Sequence, residues 1–360
     1  MHQIDSVERV LLETDVQSLL RQYEKRLNAL DPVGLGLYGR VISCVSILRE
    51  CDELFFTKDH PDHYLPRLFE KQFALLESMD ETTRRLNIKG LVSQDDNIEQ
   101  WKTQDDLHKE LFNKTWATLK VSGDPFNDYK PYIALIEKRL RNNELNEAFF
   151  VGKKCLDVGC GTGRFSFCMA KLGAHVVGID PGHRSIQQAE ELAKMFGLDK
   201  IHFQVGNAYH LDFAQNTFDF AVCNGVLHHL DHPEKALGEI YRVMKPNGKF
   251  WLYIEGSGGI YHEVWDIICR SFDGISIRAV MHALEQMRVP NIHFWMDMFF
   301  ARYHTISWQS NETRLKKIGF TKIERMKGAE FIDLDMAMFA DDPYAEVKFG
   351  EGGLRMLITK

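Results

Sequence analysis

Seven residues in the middle of the chain, Asp157-Val158-Gly159-Cys160-Gly161-Thr162-Gly163, set three glycines at alternate positions behind an acid. An apolar run, Lys154 to Val158, leads into them, and an amphipathic one, Arg164 to Leu172, leads away. A strand therefore enters a tight turn that opens a helix. Glycine tolerates positive φ and lets a ligand approach the backbone. The helix start adds free N–H donors and the positive end of the dipole. Such a turn can also close a strand–helix unit without holding anything, so the spacing must discriminate. A dinucleotide site reads GxGxxG and seats a pyrophosphate on the helix start. This chain reads GxGxG, and Asp157 stands in front of it. An acid there repels a pyrophosphate but suits an ammonium group, directly or through water.

Two further strand ends carry polar residues. Asp180 closes the apolar run that starts at His175 and is followed by Pro181. A carboxylate about 20 residues past the glycines can accept from both hydroxyls of a ribose. Its other use is to cap the helix expected from Ser185. Val205-Gly206-Asn207-Ala208 closes the third run. Asn207 can meet an adenine amino group through its amide oxygen, and the Ala208 N–H can donate to an adenine ring nitrogen. Its other use is an ordinary turn. Ammonium, ribose and adenine without phosphate describe S-adenosylmethionine (SAM), so these residues favour SAM over NAD.

The elements that must place these residues alternate. Strands are expected at 154–158, 175–180, 201–205, 218–223 and 249–254, with two more at 320–325 and 355–359. Helices are expected at 129–140, 164–172, 185–196 and 233–244, and a later one ends near Gly319. Alternation of this kind implies βαβ units on a parallel sheet, an α/β fold. Before it, residues 1–125 repeat apolar residues at helical spacing, over 7–30, 37–56, 65–79 and 98–119, punctuated by Pro61, Pro66 and Gly90. The expected division is a helical cap domain, 1–125, and a domain of 126–360 with an insertion at 256–306.

The text LDVGCGTGRFS, VVGIDPG, VGNAYHLDF and NTFDFAVCNGVLHHLDHPEKALGEIYRVMKPNGKFWLYIEG resembles the class I SAM-dependent methyltransferases. It is most similar to their small-molecule branch, which includes ubiquinone and menaquinone methyltransferases. The resemblance covers about residues 128–256 and, weakly, 307–360. It implies a Rossmann-like sheet of seven strands with the last, Arg355 to Thr359, reversed. It implies a SAM site of Asp157, Gly159, Cys160, Gly161, Gly163, Asp180, Pro181, Asn207 and Ala208, with Asn224 close to the sulfonium. Many relatives carry Asp where this chain has Asn207. Residues 1–125 match no motif.

His228-His229-Leu230-Asp231-His232 invites a metal reading, but the three histidines would splay around one turn, and the family often reads VLHHL there. No metal is expected. His229 is instead a candidate for an acceptor contact or a base. The insertion holds eight aromatic side chains between Tyr261 and Tyr303. It can be a lid over an apolar acceptor pocket or a helical hairpin packed on the N-terminal helices. Glu255, Tyr261, His262 and His304 are its candidate polar groups.

Composition bounds the partners. The net charge is −7, most of it within residues 1–125, and neither part is basic, so nucleic acid is not an expected partner. No run is long and apolar enough to span a membrane. The acids of the first fifteen residues argue against a secretory signal, and seven cysteines without a CxxC pair suit a reducing cytoplasm. A homo-oligomer is compatible with all of this. The rival readings are a tRNA or protein methyltransferase and a non-catalytic SAM-binding assembly partner. Asn224-Gly225-Val226-Leu227 stands where the first rival would carry an NPPY-type motif.

Overall fold

The computed structural model describes residues 12, 14–55, 57–86, 111, 125–290, 292–330 and 333–360. The helix expected over 98–119 lies outside these residues, Leu111 excepted. The chain forms two compact units. One comprises Met1–Gln100, Gly258–Phe300 and Ala340–Gly350; the other comprises Trp101–Ser257, Ala301–Phe339 and Glu351–Lys360. No described helix is long and apolar enough to cross a membrane.

The second unit is built on a seven-stranded sheet: β1 (Lys154–Val158), β2 (His175–Asp180), β3 (Ile201–Val205), β4 (Phe218–Asn224), β5 (Met244–Glu255), β6 (Lys322–Arg325) and β7 (Gly353–Thr359). The order is β3-β2-β1-β4-β5-β7-β6. The first five strands in that order are parallel, and β7 runs antiparallel between β5 and β6. The sheet is therefore Rossmann-like with its last strand reversed. Helices cover both faces, so the central strands read as unbroken apolar runs rather than alternating ones.

Two cores result. Phe150, Phe167, Phe220 and Trp251 pack on one face. Ile240, Phe250, Leu252, Ile254 and Phe320 pack on the other. Successive residues of β5 alternate between them, as a pleated strand requires. This strand begins at Met244, ahead of the expected Lys249, because Met244 pairs with Phe218 across a shift in register. The chain order of the sheet reverses beside β1, whose neighbours are β2 and β4. Ligands bind in open α/β sheets at such a point, beyond the carboxyl ends of the strands.

The first unit is helical. Helices Val16–Ala29, Gly34–Phe55 and Pro61–Leu86 pack with Ile260–Ser271, Ile277–Gln286 and Ile292–Phe300. Segment 258–300 is thus a set of helices packed on the N-terminal ones, the alternative left open for the insertion. Arg40 links the two sets: its guanidinium donates to the carbonyls of Leu30 (2.6 Å) and Ser271 (2.6 Å). These are orphan acceptors at helix ends, and a cation there also complements the dipole. Pro66, read as punctuation between helical stretches, lies inside the helix Pro61–Leu86. It sits so near the start that little of the ladder is lost.

Candidate active site

The glycine turn forms at the end of β1, with Gly159, Gly161 and Gly163 at φ of 73°, 51° and 87°. The N–H groups of Gly159 and Cys160 both donate to the Ile179 carbonyl, at 2.8 and 2.9 Å, and this ties the turn to β2. A Cβ on Gly159 would lie 2.4 Å from a Val226 methyl carbon, and one on Gly163 would lie 2.7 Å from Phe203. A Cβ on Gly161 would meet nothing within 4 Å. Two of the glycines are thus required by packing. The third opens onto space, where a ligand can lie against the backbone.

Asp180 closes this turn from the neighbouring strand. Its carboxylate accepts from the Gly161 N–H at 3.0 Å and from the Gly182 N–H at 2.8 Å. It binds no N–H of the following helix, His183–Met195, which starts behind Gly182 without a side-chain cap. Two contacts leave lone pairs for ribose hydroxyls, since a carboxylate offers about four. Burial pushes this carboxyl above its ordinary pKa, and the two N–H groups pull it back.

Asp157 lies behind the turn and is 2% exposed. Its Oδ2 accepts from the Ser166 hydroxyl at 2.7 Å. Burial pushes its pKa up to about 7 against the pull of the Ser166 hydrogen bonds, and Asp180 adds repulsion. A buried acid whose charge is this poorly supported suits a cationic ligand. The open face at Gly161 and the two acids together fit the adenosyl and ammonium ends of SAM.

Two of the sequence-derived positions have local partners. Asn207 Oδ1 accepts from the Tyr209 N–H at 2.8 Å, as a turn residue does, with a lone pair to spare. Ala208 is half-buried beside it, and Pro181 is exposed. Asn224 ends β4, and its Oδ1 accepts from the Trp251 indole N–H at 3.1 Å.

Beyond Asn224 the same sheet edge holds a side-chain network. Tyr253 and Glu255 follow Trp251 on one side of β5. The Tyr253 hydroxyl donates to the Glu255 carboxylate, and the Glu255 N–H donates to His228 Nδ1 at 3.0 Å. A donor at Nδ1 makes that nitrogen of His228 an acceptor. The opposite holds next door, where His229 Nδ1 lies 3.2 Å from the Arg302 carbonyl and must carry the proton. Arg355, the cross-strand partner of Tyr253, sits 4.2 Å over its ring. Both Arg355 and Arg139 pair with Asp333. Burial works to raise the Asp333 carboxyl, but the hydrogen bond from Arg139 and the charges of both arginines outweigh it and hold it below the ordinary range. Burial, followed by the Glu255 charge, pushes the Tyr253 phenol well up, so it stays a donor.

His229 and Glu255 are both buried, and each lies beside His228. His304 is exposed, and its backbone N–H donates to the His228 carbonyl at 2.7 Å. Tyr261 and His262 belong to the helical unit. There His262 Nδ1 lies 3.0 Å from the Gly258 carbonyl and its ring stacks on Trp265, while Tyr261 packs against Phe349. His232 is exposed, and among the described residues no group of three His, Cys, Asp or Glu is placed to hold a metal ion. Ser166, Tyr253, Arg139, Asp333 and Arg355 were not among the expected site residues. Tyr253 had a signal, since Trp251, Tyr253 and Glu255 grow more polar toward the strand end on one side of β5. Ser166 had one too, as the polar residue in the apolar row Phe165 to Ala170.

Part of the chain is similar to known methyltransferases. Residues 156–252 match the family described as "Methyltransferase domain". An uncharacterized methyltransferase of Bacillus subtilis, YcgJ, is 30% identical over 99 residues, which cover 28% of this chain and 39% of that protein. A ubiquinone biosynthesis O-methyltransferase of Shewanella pealeana is 30% identical over 125 residues, 35% of this chain and 53% of the relative. The chain spans less than two thirds of these relatives' lengths. The solved structure of PH0226 from Pyrococcus horikoshii aligns with a TM-score of 0.43 at 20% identity, over 69% of this chain and 98% of that one. The sheet order is Rossmann-like, and the part of the chain that carries the glycine turn matches the methyltransferase-domain family. Within this chain, residues 156–252 are its methyltransferase domain.

Proposed function

We propose that the protein transfers a methyl group from SAM to an oxygen nucleophile of a small molecule. The observation that carries this reading is the turn at Gly161, open to a ligand, with Asp180 latched to it and Asp157 buried behind it. When bound, SAM supplies a methyl group already activated by its sulfonium. Asp157 receives the ammonium, Asp180 the ribose hydroxyls, Asn207 and Ala208 the adenine, and Asn224 flanks the methyl group. What remains for the protein is to align the acceptor, exclude water and take up a proton.

Glu255 is our candidate for the proton. It is 7% exposed at the end of β5, next to the strand that carries Asn224. A hydroxyl acceptor must lose a proton as it gains a methyl group, and a buried carboxylate held by Tyr253 can receive it. The relatives named O-methyltransferases support an oxygen acceptor. His229 contacts the acceptor in this reading. Tyr261, His262 and His304 are assigned by substitution: loss of turnover without loss of SAM binding would place them at the acceptor. Seven free, buried thiols support a reducing compartment, the cytoplasm.

Ligand-induced stabilisation and methyl transfer test the proposal. SAM and S-adenosylhomocysteine should raise the melting temperature while NAD leaves it unchanged, because a ligand of the native state shifts unfolding by mass action. Radiolabel from the SAM methyl group should then appear in a hydroxylated compound from a panel of small molecules. A larger shift with NAD refutes the cofactor. Label in tRNA or protein instead of the panel refutes the acceptor class.

A further inference from the structure

Ser166 is fully buried in the helix Arg164–Lys171, among Phe165, Phe167, Cys168, Met169 and Ala170. A serine inside a helix usually bonds back to its own backbone or faces water. This one turns its hydroxyl to Asp157, 2.7 Å away. The Ser166 backbone N–H also supports the Asp157 charge; the remaining groups that face it do not. Asp180 on β2 repels it. The thiols of Cys155 on β1, Cys160 in the turn, Cys168 on the helix and Cys223 on β4 are all pushed up by burial and stay neutral.

We propose that Ser166 is a positioning residue for the cofactor: its hydroxyl holds Asp157 as the anion that receives the SAM ammonium, and it thereby sets the pH range in which SAM binds. The inference rests on the SAM reading above. The sign follows from linkage. In the empty protein the acid takes up a proton as the pH falls through about 7. SAM must then expel that proton, so affinity drops by up to about tenfold per pH unit below the midpoint. A hydrogen bond to the charged form lowers a carboxyl pKa, so losing Ser166 moves the midpoint up.

Calorimetric titration of the full chain between about pH 5.5 and 7.5, below the range where an α-amine loses its proton, provides the test. The two ligands are SAM and 5′-methylthioadenosine, which keeps the adenosine and lacks the amino acid. SAM affinity should climb with pH while 5′-methylthioadenosine affinity stays level. Ser166→Ala should move the SAM midpoint up by about one unit, Ser166→Thr should restore it, and Asp157→Asn should abolish the slope. A level SAM profile, equal slopes for the two ligands, or an unmoved midpoint in Ser166→Ala overturns the proposal. If Ser166→Ala does not fold, the contrast between the two ligands in the native chain and the profile of Ser166→Thr decide. Failure of both ligands to bind at any pH removes the SAM reading as well. Binding of both with level profiles removes this inference alone.

Discussion

The cofactor turn and the Glu255 network sit on the same sheet edge but are made of different material. The turn is backbone: four N–H groups, two of them on Ile179 and two on Asp180, within residues 159–182. The network is side chain, gathered from Arg139, His228, Tyr253, Glu255, Asp333 and Arg355. Backbone geometry tolerates many side chains outside its glycines and acids. A side-chain network depends on every member, because removing one leaves a buried partner unsatisfied. The first suits a ligand shared by many enzymes, and the second an acceptor particular to one.

Substitutions can break this comparison, and the largest effect is expected on the acceptor side. Glu255→Gln should lower turnover by about 10²–10⁴-fold, the usual range for a lost general base, and leave SAM affinity intact by calorimetry. Equal losses in both measurements would show a merely structural carboxylate. On the cofactor side, Asp180→Asn should weaken SAM binding by about 1.5–3 kcal/mol, the worth of hydrogen bonds to a charged group. Turnover at saturating SAM should survive. A variant with normal affinity would leave Asp180 only its role as a latch between turns.

The smallest effect sharpens the comparison most. Gly161→Ala meets no atom within 4 Å, so its cost to the fold is the left-handed backbone alone, about 1–2 kcal/mol. Gly159→Ala drives a carbon to 2.4 Å from Val226 and should lower the melting temperature further. The order should reverse in SAM binding relative to stability. Gly161→Ala ought to lose affinity out of proportion to its small loss of stability, because its methyl group would enter the space proposed for the ligand.

The same contrast explains what the sequence made legible. Strands β1, β2 and β3 have the bounds read from their apolar runs, and Asp157, the glycines and Asp180 fall at strand ends as expected. Contiguity made this possible: strand, turn, acid and helix follow one another within a few residues. Arg139, Asp333 and Arg355 lie far apart in sequence, and no period or spacing joins them. Only the reversal of β7 against β5 sets Arg355 beside Tyr253. Residues 258–300 were open to two readings for the same reason. Their helical stripes declare an apolar face but not the helices that it meets.

The Asp180 carboxylate bridges Gly161 in the first turn and Gly182 in the second. The two loops therefore share one fastener. Asp180→Ala should therefore quicken hydrogen exchange at both amides, since Gly161 loses Oδ2 and Gly182 loses Oδ1 as acceptor.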